Sequence, residues 1–292
     1  MTTRLQQKLA SGRFVLTAEV CPPKGSDCTE FLEKSRHLSA FVDAINVTDN
    51  QGATMRISPL AAAALLAREG MEPIFQITCR DRNRLALQSE LLGAAALGIG
   101  NVLALTGDHI SFGDHKAGKP VFDLDSVQLL QTIKGLGEGR DMANKAVSGT
   151  PAFFAGAAAA PEAEPFPLTF YKLEKKVAAG AQFFQTQAVF DQERLRLFSE
   201  AVRPLNVKVI AGILLLKSAG MARFVTSNIP GLKVPAPLVE ELEAAADPLA
   251  AGVAIAARLA AACKPYCDGL HIMAMGREDL IPEILEAVRS EK

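Results

Sequence analysis

Asn101-Val-Leu-Ala-Leu-Thr-Gly-Asp108 is a short apolar run that a glycine ends and a carboxylate follows. A run this short, with no polar alternation, reads as a strand buried on both faces, the kind found in parallel sheets. Residues 83–98 precede it, and their apolar positions 85, 87, 91, 92, 95 and 97 recur at helical spacing until Gly98 and Gly100 end the pattern. The unit is therefore helix, glycine turn, buried strand, then an acid at the strand's carboxyl end. Parallel α/β folds place their chemistry on polar residues at that edge.

The same unit recurs outward in both directions. Candidate strands are 14–20, 43–48, 73–78, 101–106, 152–157, 182–187, 207–214 and 268–274. Helical patterns fall at 29–41, 57–69, 83–98, 124–136, 168–179, 191–203, 217–227 with 237–246, 252–263 and 278–290. Strands alternating with helices predict a parallel sheet, and eight such units close into a (β/α)8 TIM barrel. An open doubly wound sheet would carry Gly-x-Gly-x-x-Gly after its first strand; here the first strand runs into Glu19-Val-Cys-Pro-Pro23. The expectation is one barrel over 1–292, with irregular loops at 108–123, 137–151 and 158–167.

Composition narrows the function. With 31 basic and 32 acidic residues the net charge is −1, and no run of like charge would suit nucleic acid or a polybasic membrane contact. No apolar segment reaches the roughly 18 residues of a membrane span, and Met1-Thr-Thr-Arg-Leu-Gln-Gln-Lys8 has no signal-peptide core, so a cytoplasmic location is expected. The 5 cysteines lack disulfide-framework spacing, and no second pair completes a zinc site with Cys263 and Cys267, so reduced, mostly buried thiols are expected.

The strand ends then deliver Glu19, Thr48, Asp49, Gln76, Thr78, Arg80, Thr106, Asp108, Gln185, Gln187 and His271, with Arg277 just beyond. Carboxylates, amides and an arginine converging on one barrel mouth can move protons and hold a polar heterocycle. Gln185 and Gln187 share one strand face, and two inward amides are costly without partners, which points to a ligand. Plainer readings stand beside these. Glu19 before two prolines also fits an ordinary loop residue, and Asp108 before His109 a helix N-cap. Asp81 and Arg82 read as a solvated charge cluster, and Lys175 and Lys176 as the exposed face of a helix unless a phosphate lies nearby.

Glu19-Val-Cys-Pro-Pro23, Asn46-Val-Thr48, Gln76-Ile-Thr-Cys79, Leu105-Thr-Gly-Asp108, Lys176-Val-Ala-Ala-Gly-Ala-Gln-Phe-Phe-Gln-Thr-Gln187 and Gly212-Ile-Leu214 together resemble the methylenetetrahydrofolate reductase family, in order and through nearly the whole chain. The resemblance implies a barrel that binds FAD and reduces 5,10-methylenetetrahydrofolate to 5-methyltetrahydrofolate. It implies Glu19 as proton donor to the folate nitrogen and Asp108 beside flavin and pterin. Gln187, Gln185 and Arg277 would contact substrate; Thr48, Gln76, Thr106, Gly107, Asp108, Asp123, Lys172 and Lys176 would contact the cofactor. Thr106 stands where many members carry arginine, Gln76 where histidine is usual, and Ala160 and Glu164 where a tyrosine and a histidine often meet FAD. No aromatic follows Gly212-Ile-Leu214. Cys79-Arg-Asp-Arg-Asn83, Phe184-Gln-Thr-Gln187 and Lys217-Ser-Ala219 resemble the branch found in anaerobic one-carbon metabolism, which implies electrons from NAD(P)H or from a partner protein, the chain then being an oligomer or one subunit of a complex.

The chemistry is coherent in its own terms. Hydride from a reduced flavin needs an electrophilic one-carbon iminium, which forms only when the departing amine is protonated; a carboxylic acid in a partly apolar pocket suits that task. A second carboxylate favours a cationic iminium by its charge. Two other readings compete. A Schiff-base aldolase would need a mid-strand lysine, whereas Lys217 follows a strand and Lys176 lies on a helix. A non-catalytic folate- or flavin-binding subunit would leave Glu19 without a chemical role.

Overall fold

The structure, a computed structural model, describes residues 2–229 and 231–290. In chain order it contains α1 (Arg4–Ala10), β1 (Val15–Val20), α2 (Thr29–Ser39), β2 (Ala44–Val47), α3 (Pro59–Arg68), β3 (Pro73–Thr78), α4 (Arg84–Ala96), β4 (Asn101–Leu105) and α5 (Ser126–Gly137). Then follow β5 (Phe154–Ala159), α6 (Phe166–Ala178), β6 (Phe183–Ala188), α7 (Gln192–Val202), β7 (Lys208–Leu214), α8 (Ala219–Asn228), α9 (Ala236–Ala244), α10 (Pro248–Cys263), β8 (Gly269–Met273) and α11 (Ile281–Ser290). All strand pairs are parallel, and the sheet closes in sequence order with β8 returning onto β1. The expected TIM barrel is the fold observed.

Two expectations need correction. β5 starts at Phe154, not 152, and runs through the alanines to Ala159, because β4 and β6 pair with it on both sides and override the weak strand preference of alanine. α4 buries Leu87, Leu91 and Ala94, whereas Leu85, Leu92 and Leu97 are exposed. The apolar period was right; the face presented to the barrel is narrower than the full set of apolar positions implied.

Strand alternation sorts the barrel interior into layers. The lowest layer is dry: Val15, Ala44, Ile74, Leu103, Phe154, Phe183 and Ile210 pack with Leu5 and Leu9 of α1. Phe154 and Phe183 stack with centroids 4.8 Å apart. Gly156 leaves room for that ring, since a Cβ there would come within 2.2 Å of Phe183. The helix α1, absent from the sequence-based assignment, closes this end. Its signal was present: Thr3 caps the helix by accepting from the Gln6 N–H at 3.1 Å, and Leu5 and Leu9 stand one turn apart.

Candidate functional site

One and two steps up the same inward faces, the side chains become polar. Thr17, Glu19, Asn46, Gln76, Gln185 and His271 are all buried. His271 Nδ1 lies 3.0 Å from Thr17 Oγ1 and 3.3 Å from Asn46 Nδ2. The Asn46 amide donates there while its Oδ1 accepts from Gln76 Nε2 at 3.1 Å. A donor on Nδ1 assigns the neutral ring's proton to Nε2. That nitrogen stands 3.6 Å from Glu19 Oε2 with no nearer partner, and Glu19 Oε1 accepts from Gln51 Nε2 at 3.3 Å. Glu19, 8% exposed, is thus held at the lip of the barrel by groups that leave its second oxygen weakly engaged.

Two cavities meet at this mouth, with Gln51 on the wall of both. The first, about 330 Å³, is lined by Gln76, Thr106, Gly107, Asp108, Lys176 and Gln187, among others. Gly107 has φ +92, and a Cβ there would lie 3.0 Å from that of Thr78 and 3.1 Å from that of Arg80, so the turn needs glycine. This turn sets Asp108 at the rim, where it is exposed. The following turn is capped by His109, whose Nδ1 accepts from the Ser111 N–H, so Asp108 is not an N-cap.

Lys176 corrects the reading of an exposed helix face. It is half-buried, its ammonium donates to Ala158 O at 2.7 Å, and no carboxylate forms an ion pair with it among the described residues. Burial, helped by the charge of Lys172, pushes its pKa below the usual range. Its neighbour Lys175 is exposed, 4.5 Å from the Tyr171 ring centroid. The amides of Gln185 and Gln187 each keep a buried Oε1 with no donor, the costly state anticipated for that strand face.

The second cavity, about 560 Å³, is lined by Glu19, Cys21, Lys24, Lys34, Arg56 and Glu278, among others. Burial pushes the Cys21 thiol up, although the Thr48 hydroxyl, 3.3 Å away, opposes this.

Not every expected residue joins these walls. Asp123 accepts from Arg84 Nε and Nη2 at 2.9 Å, and that side-chain contact holds its carboxyl at about 2. Arg277 forks onto Asp279 at 2.9 and 2.7 Å. Lys172 is exposed on α6, and Thr48 and Gln185 are buried; none of these five lines either cavity. Arg82, read as solvated, is instead half-buried against the buried Asp49, with Nη1 2.7 Å from its Oδ2. Burial works against the Arg82 charge, yet the Asp49 carboxylate outweighs it and holds the guanidinium pKa above its usual value. Asp49 also accepts from Thr78 N and Oγ1 at 2.8 and 2.9 Å, so it ties the ends of β2 and β3 together. Gln51 and Arg56 were missed; they lie in the connection after β2, where no periodicity or motif marks them.

The sequence model of the methylenetetrahydrofolate reductase family matches residues 4–289. The chain is similar to methylenetetrahydrofolate reductase 2 of Schizosaccharomyces pombe, with 27% identity over 255 residues, covering 82% of this chain and 39% of that one. It is similar to a probable methylenetetrahydrofolate reductase (NADPH) of Caenorhabditis elegans, with 24% identity over 301 residues, 98% of this chain and 44% of the other. To the 5,10-methylenetetrahydrofolate reductase of Pectobacterium carotovorum it is 29% identical over 218 residues, 72% of this chain and 67% of that one. It spans about two fifths of the length of the first two. Among solved structures, an uncharacterized Clostridium thermocellum protein that binds two copies of 5-methyl-5,6,7,8-tetrahydrofolic acid superposes with TM-score 0.63 at 15% identity over 98% of each chain. A tryptophan synthase from M. tuberculosis superposes at 0.54 and 14% identity, over 98% of this chain and 99% of that one. At such identities these two likenesses show the barrel alone.

Proposed function

Because the chain belongs to the methylenetetrahydrofolate reductase family, we propose that it reduces 5,10-methylenetetrahydrofolate to 5-methyltetrahydrofolate with a bound flavin, FAD, and Glu19 as proton donor. The observation that carries this reading is the buried, donor-less Oε1 of Gln187, a residue on the wall of the first cavity, at the mouth that also holds Glu19. A reduced pterin, rich in N–H groups, supplies the donor this acceptor lacks. The 5-methyl-5,6,7,8-tetrahydrofolic acid bound by the Clostridium thermocellum barrel supports the same substrate class.

The residues present fit a flavin nucleotide. Lys176 brings a half-buried ammonium without a carboxylate to the first cavity, the partner a phosphate needs. Gln76, Thr106, Gly107 and Asp108 line the same cavity and would meet the ring, Asp108 by its charge. When bound, the flavin supplies the hydride for the one-carbon unit. The chain's own part is proton transfer and charge. Glu19 gives a proton to the departing amine nitrogen, and His271, with its Nε2–H toward Glu19, steadies the carboxylate that remains. Asp108 favours the cationic iminium. Electrons reach the flavin from NAD(P)H or from an electron-carrying partner protein, in the cytoplasm, with this chain as an oligomer or a subunit.

The test is the visible spectrum of the purified protein, followed by anaerobic addition of 5-methyltetrahydrofolate and, separately, of NADH. Flavin bands bleached by methylfolate are expected, since that is the half-reaction reversed. Bleaching by methylfolate but not NADH assigns electron delivery to a partner. A colourless protein that FAD cannot reconstitute overturns the reading in favour of a non-catalytic folate-binding barrel.

A further inference from the structure

The second cavity is larger than the first, and Glu19 lines it rather than its neighbour. This matters for where substrate lies, because the amine nitrogen that Glu19 protonates in the proposed reaction is the one that carries the p-aminobenzoylglutamate tail. The tail begins where Glu19 acts, and the cavity Glu19 faces is the space next to it.

The cations around this space are not equivalent. Lys24 is paired with Asp114, Lys34 with Glu30 at 2.9 Å and Glu278 at 3.3 Å, and Arg277, outside the cavity, is forked onto Asp279. Arg56 differs. Its Nη1 donates to Pro22 O at 2.9 Å, its Nε is buried with no acceptor, and it makes no ion pair among the described residues. A guanidinium with a buried, idle N–H lacks the planar two-oxygen acceptor that its fork matches. Of the three cations on this wall, Lys24 and Lys34 are already paired with carboxylates, so Arg56 is the one that an entering carboxylate meets unpaired.

We propose that Arg56 receives a carboxylate of the substrate's p-aminobenzoylglutamate tail in this second cavity. The proposal rests on the folate reading above and deepens it: the pterin end is read by Gln187 of β6, and the tail by the loop after β2. Arg56 is proposed as a binding residue that takes no part in the bonds that change.

The decisive experiment pairs the protein with a ligand change. Binding of 5-methyltetrahydrofolate is compared with that of 5-methyltetrahydropteroate, which lacks the glutamate, in wild type, Arg56→Gln and Arg56→Lys. A charge-assisted pair predicts wild-type preference for the glutamate-bearing ligand of about 10- to 100-fold. Arg56→Gln should bind the two ligands alike, and Arg56→Lys should recover part of the preference. The wild-type comparison needs no variant, so a misfolded substitution cannot hide the answer. Wild type binding both ligands equally overturns the tail assignment while the folate reading stands. A preference that survives Arg56→Gln does the same, as does a variant whose only defect is a raised KM for NAD(P)H. Wild type binding neither pterin overturns the folate reading itself.

Discussion

The two ends of this barrel are built from the same strands and differ in what their inward faces leave unfinished. At the amino-terminal end, Phe154, Phe183 and the leucines of α1 fill the space with apolar side chains; beside them the Asn101 amide donates to Glu72 and Pro73 and its Oδ1 is the orphaned atom there. At the carboxyl end, the Oε1 atoms of Gln185 and Gln187, Nε2 of His271 and Nε of Arg56 are buried without partners. An end filled mainly by apolar packing contributes stability; an end with several orphaned donors and acceptors costs stability until something binds. The contrast separates the part of the molecule that holds the fold from the part proposed to meet substrate.

Substitutions at each end should therefore move different observables. The largest effect is expected for Glu19→Gln, which keeps the shape and removes the proton: methylenefolate reduction should fall by about a hundred- to ten-thousand-fold with flavin retained. Loss of flavin from this variant would break the assignment. Next comes Phe183→Ala in the closed end. Loss of a fully buried ring should cost about 3–5 kcal/mol in urea unfolding. Methylfolate affinity of the folded variant should change little; a large change in affinity would mean that the two ends are coupled. Gln187→Leu should invert that pattern, lowering methylfolate affinity by about tenfold while the thermal midpoint stays level or rises, because an unsatisfied buried acceptor is removed. A falling midpoint would show that the amide has a structural role instead.

The smallest effect concerns the dry shell behind both ends. Burial pushes the thiols of Cys79 and Cys263 from the usual 9.0 to about 12. Below pH 9 folded and unfolded chains both hold these protons; between 9 and 12 only the unfolded chain releases them, so stability falls as pH rises. The urea midpoint should drop from pH 8 to pH 10.5, and drop less in a Cys79→Ala, Cys263→Ala double variant. At pH 8 both thiols should resist alkylation until the protein is unfolded.

Much of the site was legible because strand alternation and strand ends can be read from a sequence. Glu19, Gln76, Gln187 and His271 follow from asking which polar residues reach the carboxyl ends; the first three line cavities at that mouth, and His271 lies buried below, facing Glu19. Asp123, expected from resemblance, and Arg277, expected from both the strand ends and resemblance, are engaged instead with close partners, Arg84 and Asp279. Arg82 was misjudged because a charge cluster next to a strand end looks solvated until the buried carboxylate of Asp49 is found across from it.

What the sequence determined by itself is the local order: alternating apolar strands and amphipathic helices, in a number and sequence that a closed parallel barrel satisfies. Those signals are carried by neighbours in the chain, where period and capping act. Only the tertiary structure decided which charges are free. Lys176 is turned inward without a carboxylate, Arg82 is neutralised by Asp49, and Arg56 keeps an idle N–H on the cavity that Glu19 also lines. Whether a charge is paired depends on side chains brought together from distant strands and loops, and charge–charge energies depend on distance and burial rather than position in the chain.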